Sequence, residues 1–242
     1  MNLKKRFWEV DFLRGIAILM MVLFHVISDL FHFANFRFII YSGFWRVFAH
    51  VTATIFIFLV GVSLSLSFER SQLLKKINFT KYLKRGLKIF MWGLLITLMT
   101  WLFYQSQVVV FGVLHLIGIA IILAYPFLKL KYWNLGIGSV LVLIGIYLYN
   151  LKFNFSFLIW LGFLPQNTYP ADYFPVLPWF GVVLIGIFVG KILYSNYKRN
   201  FKLPDLSNFS LIKFFRFLGR HSLLIYLIHQ PILIGIIYLL GL

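Results

Sequence analysis

Residues 9–31, EVDFLRGIAILMMVLFHVISDLF, decide how the rest of the chain is read. At a rise of 1.5 Å per residue, a helix of this length crosses the roughly 30 Å hydrocarbon core of a bilayer. The run nevertheless carries Asp11, Arg14, His25 and Asp29. Ionisable groups are costly in lipid and persist where they face a protein interior. The stretch therefore predicts a spanning helix with one polar, functional face. Asp11 and Arg14 stand at i, i+3 and can pair near the membrane boundary. His25 follows Arg14 by eleven residues, almost three whole turns, which returns it to the same face roughly 16 Å away. With Arg14 at the inner interface, His25 falls near the midplane. Asp29, at i+4 from His25, is placed to accept a hydrogen bond from its ring.

The composition agrees with a lipid environment. Only 12% of the 242 residues are charged and 62% are hydrophobic, too few polar side chains to cover a surface in water. Six further apolar stretches qualify as spans: 47–68, 84–105, 107–128, 132–150, 173–194 and 219–241. The expected fold is all-α, a polytopic membrane helix bundle of about seven transmembrane helices in a single domain, 1–242. The short run 156–164 reads as an interfacial or re-entrant piece, and 206–218 as an amphipathic helix lying on the membrane. The first run continues past Val26 without a small-residue cleavage site, so it is expected to stay as the first span.

The balance of 23 Lys+Arg against 6 Asp+Glu suggests nucleic acid in a soluble protein. Here the cations sit in short runs between apolar stretches, which marks cytoplasmic loops. Lys4, Lys5 and Arg6 precede the first span, and seven cations from Arg70 to Lys88 separate the second from the third. Lys129 and Lys131 follow the fourth, and Lys191 to Arg220 precede the last. The intervening connections hold only Arg37, Arg46 and Lys152. The alternation predicts an N-in, C-out orientation and no nucleic-acid partner.

The polar groups along the spans suit a transfer reaction across the bilayer. The Arg14 guanidinium makes forked bonds to phosphate, or else reaches lipid headgroups. Histidine is the side chain suited to proton transfer near neutral pH, so His25 can serve as a base, with Asp29 orienting its ring. His50 and His115 fall in the outer halves of the second and fourth spans, and His229 near the middle of the last. His229 is followed by Gln230 and Pro231, and a proline there frees a carbonyl one turn earlier, a break tolerated beside a polar cavity. Trp179 either walls that cavity or anchors at the interface. His221, beside Arg220, can face phosphates at the inner end, and His32 belongs to the first outer connection. With no cysteine and no two histidines at i, i+4, no metal site is expected.

The stretch DFLRGIAILMMVLFH, with an Arg, ten residues and a His, resembles the integral-membrane acyltransferases. Across almost its whole length the chain most resembles the heparan-alpha-glucosaminide N-acetyltransferase catalytic-domain family, in its small prokaryotic form. The stretches ATIFIFLVGVSLSLS, FGVLHLIGIAIILAYPF, YFPVLPWFGVVLIGIFVGKIL and FLGRHSLLIYLIHQPI support it. The resemblance implies that cytoplasmic acetyl-CoA supplies an acetyl group to an acceptor, often a sugar, reached from the outer side. Arg14 and His25 carry over from the acyltransferase motif. The animal glucosaminide enzymes depart at the His25 position, where they have an asparagine and place the active histidine farther along.

The leading reading is an acyl-CoA-dependent N- or O-acetyltransferase of the cell envelope, multi-pass in the plasma membrane. In it His25 and Asp29 are catalytic, while Arg14, Asp11, Arg220 and His221 hold acetyl-CoA. His50, His115, Trp179, His229 and Gln230 contact the acceptor, a carbohydrate or glycolipid. The expected partners are acyl-CoA, that acceptor, the bilayer and a second copy of the chain in a homodimer. A small-solute or lipid transporter using the same polar residues is the alternative, though inverted repeats are not visible. A non-catalytic membrane scaffold is the third.

Overall fold

In a computed structural model, the residues described are 6–33, 40, 42–105, 108–166, 168, 170 and 172–241. Lys4, Lys5 and Arg37, counted above for orientation, lie outside them. Among the described residues the chain is all-helical: α1 (Trp8–Phe33), α2 (Gly43–Leu73), α3 (Phe79–Phe103), α4 (Val113–Phe127), α5 (Trp133–Tyr149), α6 (Val176–Leu193), α7 (Ser210–Arg220) and α8 (Ser222–Leu239). Five of these, α1, α2, α3, α6 and α8, are long and apolar enough to cross a membrane. The remaining apolar helices, α4 and α5, have 15 and 17 residues, which rise only about 22 and 25 Å.

The expected span 107–128 is shortened for a local reason. The Thr97 hydroxyl donates to the Val109 carbonyl at 2.6 Å, and Val109 N–H donates to the Thr100 hydroxyl at 3.2 Å. The Gly112 N–H donates to His115 Nδ1 at 3.2 Å. With the backbone of that stretch held by side chains, helix α4 begins only at Val113. The last stretch differs too. His221 (φ −102°, ψ 13°) breaks the helix, so Gly219 and Arg220 close α7 and the final span starts at Ser222. His32 lies in the last turn of α1 rather than in a connection.

Two compact units make up the chain, Met1–Leu59 with Lys202–Leu242, and Val60–Phe201. In the first, α1 packs on α7 and α8. The α1–α7 crossing depends on two glycines. A Cβ on Gly219 would run into the Asp11 carbonyl, and one on Gly15 into the Phe215 carbonyl. Without side chains there, the two backbones come into direct contact, as small residues permit between helices in lipid. Phe215 packs edge-on against Phe12 at 5.4 Å, while Leu211, Phe214 and Phe217 stay exposed. The amphipathic helix read from 206–218 is thus anchored on α1 along one side and keeps an apolar face outside it.

In the second unit α3 packs on α4 and α5 on α6. A Cβ on Gly118 would stand 2.8 Å from the Gly86 carbonyl, and one on Gly138 2.8 Å from the Gly181 carbonyl. The core between them is aliphatic: Leu116, Ile121, Val183, Leu184 and Ile187 are fully buried. Outward, α3 shows Met91, Leu95, Leu98 and Leu102, the sort of face that lipid covers. The run 156–164 is a short tuck with one 3-10 turn at Ile159–Leu161. The Phe153 N–H donates to the Leu164 carbonyl at 3.1 Å, and the Tyr173 hydroxyl donates to the Ile159 carbonyl at 2.7 Å. Burial pushes the Tyr173 phenol up to about 12, so it keeps the proton that this bond needs.

Candidate active site

The polar face of α1 forms two clusters in the first unit. At the N-terminal end, Asp11 is the hub, with its side chain only 3% exposed. Arg14 Nη1 donates to its Oδ1 at 3.0 Å, as the i, i+3 spacing leads one to expect. Arg6 Nη2 reaches the same oxygen at 2.9 Å, and Arg220 Nε lies 3.5 Å from Oδ2. One carboxylate thus holds three guanidinium groups together at this end of the helix. Among the described residues, the buried indole N–H of Trp8 has no partner. Arg6, counted in the sequence only as a topological charge, belongs to this cluster; an Arg five residues before a buried Asp gave no signal.

Three turns along α1, the second cluster joins α1 to α8. His25 Nδ1 lies 2.9 Å from the Met21 carbonyl, and His229 Nδ1 lies 2.7 Å from the Tyr226 carbonyl. A carbonyl oxygen only accepts, so each neutral ring carries its proton on Nδ1 and keeps the Nε2 lone pair. The two rings meet edge to face, with centroids 4.7 Å apart and planes at 83°.

Asp29 is not bonded to His25 as the i+4 spacing suggested. Its Oδ1 accepts instead from Gln230 Nε2 at 2.8 Å. The histidine is drawn back to its own helix by the Met21 carbonyl, and the amide from α8 takes the carboxylate.

Among the described residues, three buried atoms of this cluster have no partner: Asp29 Oδ2, His229 Nε2 and Gln230 Oε1. With the tautomer fixed as above and Asp29 ionised, all three are acceptors. Buried acceptors are ordinarily satisfied, so the three together set this cluster apart from the rest of the helix contact. Replacing Gln230 with alanine removes the donor to Asp29 and is expected to cost about 1–3 kcal/mol of stability, measurable by denaturation of the detergent-solubilised chain.

The remaining sequence candidates are placed elsewhere. His50 is exposed on α2, with Nδ1 2.7 Å from the Arg46 carbonyl. His221 is exposed at the α7–α8 break, with Nδ1 2.9 Å from the Phe217 carbonyl. Trp179 belongs to the second unit and packs on Phe174 at 5.1 Å.

His115, also in the second unit, is 2% exposed and has both nitrogens engaged. Nδ1 accepts from Gly112 N–H, so the ring proton sits on Nε2, 3.4 Å from the Thr97 hydroxyl. This histidine caps α4 rather than offering a nitrogen to substrate. Substituting it with alanine strands the Gly112 N–H and is expected to lower stability by at least about 1 kcal/mol, read by denaturant titration. Among the described residues, no group of three or more His, Asp or Glu is placed to hold a metal.

Several apolar helices long enough to span, with titratable groups buried between two of them, define a multi-pass membrane protein with an internal polar site. Residues 6–231 match the family described as heparan-alpha-glucosaminide N-acetyltransferase, catalytic, and the chain belongs to that family. It is therefore a member of a family of membrane acetyltransferases. No curated protein and no solved structure matches the chain.

Proposed function

We propose that the chain transfers an acetyl group from cytoplasmic acetyl-CoA to a hydroxyl or amine, borne by a carbohydrate or glycolipid reached from the outer side. The reading takes 1–242 as one domain in the plasma membrane, with the basic connections inside. The single observation that carries it is the α1–α8 cluster, in which the His25 and His229 rings meet edge to face and Gln230 from α8 holds the Asp29 carboxylate of α1. Its three unpaired acceptors suit a group rich in O–H or N–H.

In this reading His25 Nε2 takes the proton from the acceptor oxygen or nitrogen as that atom bonds to the thioester carbonyl carbon. The carbon–sulfur bond breaks, and the proton passes from His25 to the departing thiolate, giving free CoA. Asp29 offsets the charge of the imidazolium from one turn away, and Gln230 holds Asp29 in place. Arg14 and Arg220, tethered by Asp11, fit the phosphates of CoA by forked bonds, with His221 beside them. His229 and Gln230 contact the acceptor.

The test is acceptor-dependent release of CoA by the purified chain in liposomes, supplied with acetyl-CoA and an amine or polyol. Release that needs the acceptor supports the transferase. Net solute movement with no acyl turnover contradicts it and assigns a carrier.

A further inference from the structure

In the second unit, where α2 gives way to α3, hydrogen-bond donors and positive charges converge. Lys81, in the first turn of α3, donates through Nζ to Ser71 Oγ at 2.9 Å and to Ser67 Oγ at 3.3 Å. These serines stand one turn apart on α2, and the Ser71 hydroxyl gives its own proton to the Ser67 carbonyl at 2.9 Å. Arg70 and Arg85 are close enough for their charges to act on Lys81. The nearest acid in sequence, Glu69, accepts instead from the Asn196 backbone N–H at 3.2 Å. The start of α3 is itself closed, because the Asn78 side chain accepts from Thr80 N–H at 2.8 Å.

The second observation is Tyr82. It is only 2% exposed, and its hydroxyl is turned toward the Ser67 and Ser71 hydroxyls, yet among the described residues none lies close enough for a well-formed hydrogen bond to it. The ring is accounted for by packing on Tyr125 at 5.3 Å. A phenylalanine would pack there equally well. A buried hydroxyl without a partner is costly, so packing explains the ring and leaves the oxygen unexplained. A topological excess of cations likewise explains why Arg70 and Arg85 are basic, but not why a phenol is buried beside Arg85 and two serines.

We propose that Lys81, Ser67, Ser71 and Tyr82, with Arg70 and Arg85 behind them, bind a phosphate group. Such a group is acceptor-rich and anionic, matching a corner where an ammonium, a buried phenol and the charges of two arginines come together. Phosphate of this kind comes either from a phospholipid headgroup or from a nucleotide such as CoA. The site does not depend on the transferase reading, since its residues lie apart in sequence from the α1–α8 cluster and take no part in the proton transfer.

The experiment follows thermal unfolding of the full chain in maltoside detergent during three titrations. The ligands are short-chain phosphatidic acid, CoA and 3′-dephospho-CoA, since a ligand that binds the folded chain raises its melting temperature. The variants are Tyr82→Phe, which removes one oxygen and keeps the ring, and Lys81→Gln. Stabilisation by phosphatidic acid assigns a lipid headgroup; stabilisation by CoA that 3′-dephospho-CoA lacks assigns the nucleotide phosphate. In either case Tyr82→Phe is expected to weaken the stabilising ligand about tenfold while melting without ligand stays the same or rises. Should Lys81→Gln fail to fold, Tyr82→Phe carries the test alone. If none of the ligands stabilises the wild type, or if wild type and Tyr82→Phe respond equally, the phosphate site is wrong.

Discussion

Replacing His25 with alanine is expected to reduce acetyl transfer by about 10²- to 10⁴-fold, the range that general-base assistance usually supplies. The fold should survive the change. The ring is half-buried and makes its hydrogen bond to Met21 of its own helix, so removing it strands no buried donor. Asp29 also keeps its bond to Gln230. Loss of rate with an unchanged melting curve would assign the effect to chemistry. Measuring acceptor-dependent CoA release under saturating and limiting acceptor adds a further distinction. A base acts in the transition state, so kcat and kcat/KM should fall together. Full activity in His25→Ala would remove this residue from the mechanism.

The largest effect on stability should come from Gly219. A valine there would drive its side chain into the backbone of α1 at Asp11, and a backbone carbonyl cannot swing aside as a flexible side chain can. Overpacking a tight contact typically costs about 1–3 kcal/mol and more when nothing can yield. The shift also draws Arg220 away from the Asp11 carboxylate, 3.5 Å distant in the native chain. Gly235, on the neighbouring α8, is the control, because a Cβ there meets nothing within 4 Å. Gly235→Ala should leave stability unchanged or raise it by up to about 1 kcal/mol, as expected for alanine in a helix interior. Equal melting of Gly219→Val and wild type would mean that α1 and α7 do not touch as described.

Much of this was legible in the sequence because membrane helices obey simple rules of length and polarity. The register of Asp11, Arg14, His25 and Asp29 along one helix followed from 3.6 residues per turn, and the Asp11–Arg14 pair needed only local spacing. What could not be read is which distant residue meets which. Asp29 and Gln230 are 201 residues apart, and no periodicity in either helix declares that the amide of one takes the carboxylate of the other. The same holds for Arg220 meeting Asp11.

Two further features have recognisable physical causes. The early end of the apolar run before α4 reflects threonine and histidine side chains that bond the backbone, which a hydropathy sum does not register. The close α1–α7 crossing rests on Gly15, just after Arg14, and Gly219, just before Arg220. Glycines inside helix patterns are a weak signal of close approach, and the charges beside these two are the stronger one.

The proposed transfer site stands or falls on the meeting of α1 and α8 at these polar side chains. The chain contains no cysteine, so a double variant, Asp29→Cys with Gln230→Cys, carries the only two thiols. Treating it in native membranes with a short bifunctional thiol reagent should join the two positions within one chain, as a bond of 2.8 Å between the native side chains requires. Both thiols reacting singly, with no joined product, would show that the helices do not face each other there and would remove the site.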